Sequence, residues 1–340
     1  MNRREFLSYS VPATGAVMLL PGFAKAHLMS EINKQFDDNT RFEEYDIVIN
    51  GAGLSGYFAA VEAAKKGLRV LIVEKRPAPG YEITAKRKLW VGDTGFDRWD
   101  PELIQLFFPV DEKREIFAEG GSGPNNSRFD DELLLFAGSI KKGLLRNLLI
   151  HNVHVLLMTD VCGIVTDGKN VSGALLACKH GLFTVKCKKF IDSSDNLMFS
   201  RNLIQQKYRI EKAGFVLELL GADNLKKKIV KVPENLRLVG NEIRIHRGKN
   251  ANHQAFMEFQ FLPDAQDPEK MELQSRLIAG EIGRNLKLID DSLVNAKIHY
   301  YAYESSTLLS GETPLPTVKL GGYYMLDTHQ GELDCDRVCG

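Results

Sequence analysis

The stretch DIVINGAGLSG (Asp46–Gly56) decides the fold of this chain, because the segments on its two sides can be assigned around it. Before the glycines, the β-branched run Tyr45–Asn50 predicts a buried strand. After them, Tyr57–Lys66 alternates alanine, valine and charge at helical spacing. A second apolar run, Leu68–Glu74, predicts a strand parallel to the first. Residues 45–74 therefore form one predicted βαβ unit.

The three glycines of the stretch form the pattern G-x-G-x-x-G. Gly51 permits the tight turn from strand to helix, Gly53 lets the backbone approach a pyrophosphate, and Gly56 lets the helix pack closely on the strand. The helix then presents free amides to the phosphates. Glu74 ends the second strand, where a carboxylate accepts hydrogen bonds from ribose hydroxyls. A glutamate at this position disfavours the 2′-phosphate of NADP.

The glycines alone do not distinguish FAD from NAD, but the middle of the chain does. Residues 148–194 (LLIHNVHVLLMTDVCGIVTDGKNVSGALLACKHGLFTVKCKKFIDSS) predict four strands with turns at Asp167–Asn170 and His180–Gly181. An NAD-binding half would instead continue as β-α-β. Together with the opening YDIVINGAGLSGYFAAVEAAKKGLRVLIVEK (residues 45–75), this stretch resembles the FAD-dependent oxidoreductases of the two-dinucleotide-binding-fold flavoproteins. The resemblance covers roughly residues 45–200.

The resemblance implies FAD as the cofactor and hydride or electron transfer between a small-molecule substrate and the flavin. It implies that the FAD pyrophosphate is held by Gly51, Ala52, Gly53, Ser55 and Gly56. It further implies that Glu74, with Lys75 beside it, binds the adenosine ribose and that Val161 contacts the adenine through its backbone. Residues Asp192–Asp195 are expected near the cofactor.

The chain departs from the family pattern at three places. After Glu74, the stretch PAPGYEITAKRKLWVG (residues 77–92) keeps Gly80 and Thr84 but lacks a second glycine. The family's Asp-Ala-Thr-Gly is replaced by Asp192-Ser-Ser-Asp195. The late glycine-rich segment and final helix are reduced to Gly321-Gly322, so we expect a C-terminally truncated chain. One alternative is therefore a catalytically inactive nucleotide-binding protein, and another is an NAD-dependent dehydrogenase.

The N-terminal residues 1–26 have the pattern of an export signal. Arg3-Arg4 is followed by Phe6-Leu7 and a mildly apolar stretch, which resembles a twin-arginine signal; an ordinary Sec signal is the alternative. Pro12, Gly15 and Pro21 break this stretch, so no stable membrane span is expected. The sequence thus predicts recognition by the twin-arginine machinery and a periplasmic or extracellular protein.

The expected fold class is α/β, with a Rossmann-like FAD-binding domain that carries a β-rich insertion, plus an α+β substrate domain. The predicted divisions are a signal peptide (1–26), a lead-in (27–44), the FAD-binding domain (45–199) and a substrate domain (200–340). The predicted helices lie at Asp130–Asn147, 200–221 and 268–295, and further strands at Glu242–Arg247, Ala255–Phe261 and Ala296–Tyr303.

Composition narrows the partners and the chemistry. A net charge of zero gives no field that favours nucleic acid, and the basic run Lys226–Lys228 is interpreted as a solvated face. The cysteines lack metal-binding spacing, so no metal is expected; Cys335 and Cys339 are close enough in sequence to pair after export. The sequence identifies no catalytic residue. The candidates are His246, His299, Arg244, Arg247, Trp90, Trp99 and the tyrosines at 300, 301 and 303, for each of which packing or surface charge is the favoured interpretation.

Overall fold

The computed structural model describes residues 44–92, 132–223, 225, 229–248, 253–310 and 320–326. The predicted signal, nearly all of the lead-in, the run Lys226–Lys228, Trp99 and the Cys335–Cys339 pair lie outside the described residues. Among the helices that are described, none has both the length and the apolar character that crossing a bilayer requires.

The first sheet is built on parallel strands and contains the predicted βαβ unit. Its described strands run in the order β5-β2-β1-β8-β7-β6, and β15 pairs with the last three residues of β8. The parallel members are β1 (Tyr45–Asn50), β2 (Val70–Glu74), β5 (His154–Leu157), the end of β8 (Gly181–Asp192) and β15 (Tyr323–Met325). This arrangement brings the carboxyl ends of β1, β2 and β8 to one edge of the sheet.

Two helices cover one face of this sheet. They are α1 (Leu54–Lys65) and α3 (Ala137–Ile150). Ile47, Ile49 and Ile72 point towards the helices, where they meet buried side chains of both. Since side chains alternate along a strand, Val48 points to the opposite face. Alternate residues of β1 and β2 are thus buried on opposite faces, one set by the helices and the other by the β-rich insertion.

The β-rich insertion covers the second face, as an antiparallel meander. It comprises β6 (Asp160–Asp167), β7 (Asn170–Cys178) and the first part of β8. Its turns contain Gly168 at φ 60° and Gly181 at φ 113°. The four strands predicted for residues 148–194 are therefore confirmed, and the α/β fold class with its β-rich insertion is confirmed with them.

A second, antiparallel sheet follows in the chain. Its described order is β10-β11-β12-β9-β13, with β14 also paired to β9. The strands are β9 (Arg209–Leu220), β10 (Ile229–Lys231), β11 (Leu238–Arg247), β12 (Ala255–Phe261), β13 (Lys297–Tyr301) and β14 (Ser306–Ser310). Helix α5 (Pro268–Arg284) covers one face; it starts at Asp267, whose side chain accepts hydrogen bonds from the amides of Glu269 and Lys270. The short helix α6 (Leu286–Ile289) follows it.

Two predicted helices were wrong in part. Residues 209–220 form the central strand β9, and only α4 (Met198–Leu203) is helical in the segment 200–221. The strand is buried on both faces, so its apolar residues run without the alternation that marks a half-buried strand. Helix α3 begins at Ala137, because residues 132–134 form the short strand β4, which pairs with β3 (Trp90–Gly92).

Candidate cofactor-binding site

The glycine turn lies at the carboxyl end of β1, and it is packed tightly against the end of β8. Gly51 has φ +100°, and a Cβ placed on it would lie 2.5 Å from the carbonyl oxygen of Ser193. A Cβ on Gly56 would lie 2.0 Å from the carbonyl oxygen of Gly51. Ser55 is buried, and its hydroxyl hydrogen-bonds that of Ser193 at 2.7 Å. The glycines thus serve the close packing that the sequence predicts, and Ser55 contacts the neighbouring loop.

The N-terminus of α1 holds an anion supplied by the chain itself. The amide of Leu54 donates to both carboxylate oxygens of Glu82, at 3.1 and 3.2 Å. Glu82 belongs to the one-turn helix α2 (Tyr81–Thr84). A Cβ on Gly53 would lie 2.4 Å from the ring of Tyr81 and 2.6 Å from Glu82 Oε1. These two side chains therefore occupy the space directly beside Gly53.

Glu74 connects the end of β2 to the glycine turn. It is 1% exposed, and its Oε2 accepts a hydrogen bond from the amide of Ala52 at 2.8 Å. Its Oε1 accepts from the amide and the Nη1 of Arg76, both at 3.0 Å. The neighbouring Lys75 is exposed. Glu74, the residue predicted to bind the ribose, thus lies at the expected edge of the sheet, where Ala52 and Arg76 orient its carboxylate.

A buried ionic network surrounds this edge. The guanidinium of Arg76 donates to Glu304 from Nε at 2.7 Å and from Nη2 at 2.5 Å, and it also lies 3.7 Å from Asp195. Lys86 Nζ lies 2.7 Å from Asp195. Burial opposes ionisation of Asp195, but the charge and hydrogen bond of Lys86, with the Arg76 charge, outweigh it and hold the pKa of Asp195 below its ordinary value.

Glu82 has the opposite electrostatic balance. Burial raises the pKa of its carboxyl group to about 7, although backbone hydrogen bonds from its own amide and from Leu54, and the charge of Lys86, act in the other direction. Asp195 raises this pKa further. Near neutral pH, Glu82 therefore exchanges a proton at the N-terminus of α1.

Asp192 and Val161 occupy the same edge of the sheet but contact the chain itself. Asp192 is fully buried; its Oδ2 accepts from the Ser200 amide at 2.8 Å and from the Ser200 hydroxyl. The Ser200 hydroxyl also lies 2.8 Å from the hydroxyl of Tyr323 on β15. Val161 lies at the start of β6, partly buried against the core of the second face. Asp192 thus fixes the loop that follows β8.

The candidate residues of the second sheet are divided between its interior and its surface. His246 is 2% exposed; its ring stacks on Trp90 at 3.7 Å between centroids, and its Nε2 lies 3.8 Å from Glu258 Oε2. Burial opposes ionisation of Glu258, but the neighbouring His246 and the charges of Lys88 and Arg244 hold the pKa of this carboxyl group below its ordinary value. The exposed candidates are His299, Arg244, Arg247, Tyr301 and Tyr303.

Residues 86–90 connect the edge that holds the glycine turn to the second sheet, where they contact Glu218 and His246. We refer to the part of the second sheet around Glu218 and His246 as its polar face. Arg87 forms an ion pair with Glu218 of β9, and its guanidinium lies 5.0 Å above the ring of Tyr300. Trp90 supplies the stacking on His246. Of the described residues, no group of three His, Cys, Asp or Glu side chains has the arrangement of a metal site.

The sequence analysis did not find four residues of the site, namely Arg76, Glu82, Lys86 and Glu304. Arg76 directly follows Glu74 and Lys75, the residues predicted to bind the ribose, and this adjacency was not used as a signal. Glu304 reaches Arg76 across 228 positions of sequence, so no local pattern contains the pair.

The donor set of this edge fits the ADP half of FAD. The turn leaves no Cβ at Gly53, the amide of Leu54 already binds a carboxylate as a stand-in for a phosphate, and Glu74 lies at the end of β2. These are the groups that a strand-turn-helix dinucleotide site requires.

Comparison with known proteins agrees with this geometry. Residues 46–197, a little under half of the chain, match the family described as FAD dependent oxidoreductase. The NADH:fumarate oxidoreductase of Klebsiella pneumoniae (strain 342) is 25% identical over 210 residues, which are 51% of this chain and 23% of that protein. The 1H-pyrrole-2-carbonyl-[peptidyl-carrier protein] brominase of Pseudoalteromonas luteoviolacea (strain 2ta16) is 31% identical over 184 residues, 51% of this chain and 43% of that protein.

Among solved structures, a geranylgeranyl bacteriochlorophyll reductase-like protein from Thermoplasma acidophilum superposes with a TM-score of 0.55 at 14% identity, covering 84% of this chain and 70% of that chain. This likeness concerns the fold. The chain matches less than half the length of the two curated relatives. The match to the FAD dependent oxidoreductase family over residues 46–197 supports FAD as the cofactor of this part of the chain.

Proposed function

We propose that this chain is an exported FAD-dependent oxidoreductase that transfers hydride or electrons between a small organic molecule and FAD. The observation that carries the proposal is the strand-turn-helix edge formed by Gly51–Gly56 and Glu74, with an anion already bound at the α1 amide. The related proteins named above are a fumarate oxidoreductase and a brominase, so the proposal specifies the reaction class and leaves the substrate unnamed.

In this proposal, each residue of the edge has a physical task. Gly51, Ala52, Gly53, Ser55 and Gly56 form the turn around the pyrophosphate, whose charge is favoured by the N-terminus of α1. Glu74 accepts the ribose hydroxyls, Lys75 lies beside it, and Val161 meets the adenine through its backbone.

When bound, FAD supplies the redox chemistry of the site. The chain supplies orientation and shields the edge from water. Arg76 holds Glu74 in place through the contact at 3.0 Å and joins it to Glu304, which follows the second sheet's strand β13. The polar face near His246 and Glu218 borders residues 86–90, and we propose this face as the wall of the substrate site.

The proposal is tested with the purified chain, titrated with FAD and followed by flavin absorbance and fluorescence. We expect one FAD per chain and reduction of the bound flavin by dithionite, with reoxidation by an added acceptor. Gly53→Ala should weaken FAD binding about tenfold or more, because its Cβ enters the space that a pyrophosphate needs. Gly280→Ala, where a Cβ meets nothing within 4 Å among the described residues, is the matched control. Failure of the wild-type chain to bind FAD would reject the proposal.

A nucleotide-binding protein without redox activity is the second candidate. The observation in its favour is that Tyr81 and Glu82 occupy the space directly beside Gly53. The same titration separates the two candidates, since this alternative predicts that ADP and FAD bind equally well. It also predicts that bound flavin does not exchange electrons with any donor in a panel of amines, hydroxy acids and NADH.

We also propose that residues 1–26 direct export by the twin-arginine route. The support is the Arg3-Arg4-x-Phe-Leu pattern followed by a short apolar stretch. In cell fractionation, the wild-type chain should be recovered processed and outside the cytoplasm, whereas the double variant Arg3→Lys, Arg4→Lys should stay in the cytoplasm as precursor. Unchanged export of the double variant would instead indicate a Sec signal.

A further inference from the structure

The N-terminus of α1 is the place where the proposed site would receive the FAD pyrophosphate, and it binds the carboxylate of Glu82 instead. Both oxygens of this carboxylate lie within hydrogen-bond distance of the Leu54 amide, at 3.1 and 3.2 Å. We infer that Glu82 is an internal competitor for the pyrophosphate position and that FAD binds as the Glu82 carboxylate leaves the amide of Leu54. This inference rests on the proposed function.

Glu82 and a pyrophosphate cannot share this position. The Tyr81 ring and Glu82 Oε1 lie only 2.4 and 2.6 Å from the position that a Cβ on Gly53 would take, so they leave no room for a phosphate oxygen against the turn. A phosphate is also negative, and two like charges within a few ångströms in a partly buried place repel each other strongly.

The segment that carries Glu82 is held against the glycine turn by a backbone hydrogen bond and by contacts of the Tyr81 ring. The Gly80 amide donates to the Ala52 carbonyl at 2.6 Å, and Gly80 has φ +71°, a conformation that glycine adopts readily. The Tyr81 ring lies under the guanidinium of Arg76 at 4.4 Å and the ammonium of Lys86 at 5.2 Å. Arg76 is held by Glu74 and Glu304, so this cation stays beside the turn when Glu82 moves away.

Protonation makes the competition depend on pH. The groups that face Glu82 are the Leu54 amide, Lys86 of the same segment, Asp195 from the loop after β8, and the neighbouring Tyr81. Because burial raises the pKa of Glu82 to about 7, this carboxyl is neutral on the acid side and charged on the alkaline side of the physiological range. A neutral carboxyl holds the amide less firmly and repels a phosphate less, so FAD affinity should fall as pH rises through about 7.

The test is the dissociation constant for FAD, measured by flavin fluorescence at about pH 6 and about pH 8. Three proteins are compared: wild type, Glu82→Gln, and Glu62→Gln. The last is the control for loss of a glutamate from the same part of the chain, since the exposed Glu62 on α1 forms an ion pair with Lys65 at 3.4 Å. Circular dichroism verifies that each variant folds. Glu82→Gln should bind FAD about tenfold more tightly than wild type at the higher pH, the size of one charged hydrogen bond, and its affinity should not change with pH.

The possible outcomes separate the inference from the proposed function. Equal or weaker FAD binding by Glu82→Gln, while wild type and Glu62→Gln bind FAD, overturns the competition and leaves the cofactor assignment intact. Absence of FAD binding in all three folded proteins overturns both. Tighter binding in Glu82→Gln with the pH dependence of the wild type overturns the role of Glu82 protonation, since another group would then carry the titration.

Discussion

Replacing Gly56 by alanine tests the tight contact on which the cofactor edge depends. Gly56 lies in the first turn of α1, and its added Cβ would stand 2.0 Å from the carbonyl oxygen of Gly51 and 3.1 Å from the Ser193 hydroxyl. An acceptable carbon–oxygen contact is about 3.3 Å, so α1 must move away from the turn by more than about 1 Å. The neighbour is backbone, so it cannot rotate aside as a side chain would.

The magnitude follows from two opposing terms. Overpacking of a well-packed site costs about 1–3 kcal/mol, and a backbone obstacle belongs at the upper end of that range. Alanine is favoured over glycine in a helix by about 1 kcal/mol, which offsets part of the cost. We therefore expect Gly56→Ala to lower the free energy of unfolding by about 2 kcal/mol.

The assay is urea unfolding followed by circular dichroism, with Gly280→Ala as the matched control. Gly280 lies in α5, where a Cβ meets no atom within 4 Å among the described residues, so the same chemical change should raise the free energy of unfolding by about 0.5–1 kcal/mol. Equal effects of the two substitutions, or no effect of Gly56→Ala, would refute the close approach of α1 to the glycine turn.

Three further predictions concern the buried groups. Arg76→Met leaves the buried Glu74 without its guanidinium and should lower the free energy of unfolding by about 3 kcal/mol in urea; a loss below about 1 kcal/mol would mean that the pair is solvated. Because the pKa of Glu82 rises from 4.5 unfolded to about 7 folded, it contributes stability that is full below 4.5 and is lost as pH rises through about 7; Glu82→Gln should flatten this slope, and an unchanged slope would contradict it. Burial raises the pKa of Cys187 to about 12, so iodoacetamide should label exposed Cys162 before Cys187, and labelling of Cys187 in the folded chain would disprove its burial.

The first sheet was predictable because its signals are local. The glycines of Asp46–Gly56 stand between two apolar runs, and each run is long enough to be a strand and too short for a helix. The turn at Asp167–Asn170 likewise identified the meander from adjacent residues. In these places the local preference and the final fold agree.

The remaining elements depend on contacts between distant residues. β9 resembles a buried helix in sequence, because most of its residues are buried on both faces of the sheet and its apolar residues therefore do not alternate with polar ones. β15 has three residues, and its place beside β8 is determined by parallel pairing across the chain. The sequence alone did not show this pairing, so Gly321-Gly322 was interpreted only as what remains of a late glycine-rich segment.

The candidate site was predictable only in its backbone part. The turn and Glu74 follow from spacing, whereas the ionic network requires Arg76 to meet Glu304 across 228 positions of sequence. The position of Glu82 on the α1 amide depends on the left-handed conformation of Gly80, which directs residues 81–84 back onto the turn. The ligand roles of the turn residues stay predictions.

The central claim is that Gly51–Gly56 and Glu74 bind the ADP half of FAD. Isothermal titration of the purified chain with ADP, and separately with FMN, tests it most directly, because each ligand carries one half of the cofactor. We predict that ADP binds and competes with FAD, that Gly53→Ala weakens ADP binding about tenfold or more, and that FMN does not bind. Binding of FMN without binding of ADP would contradict the account.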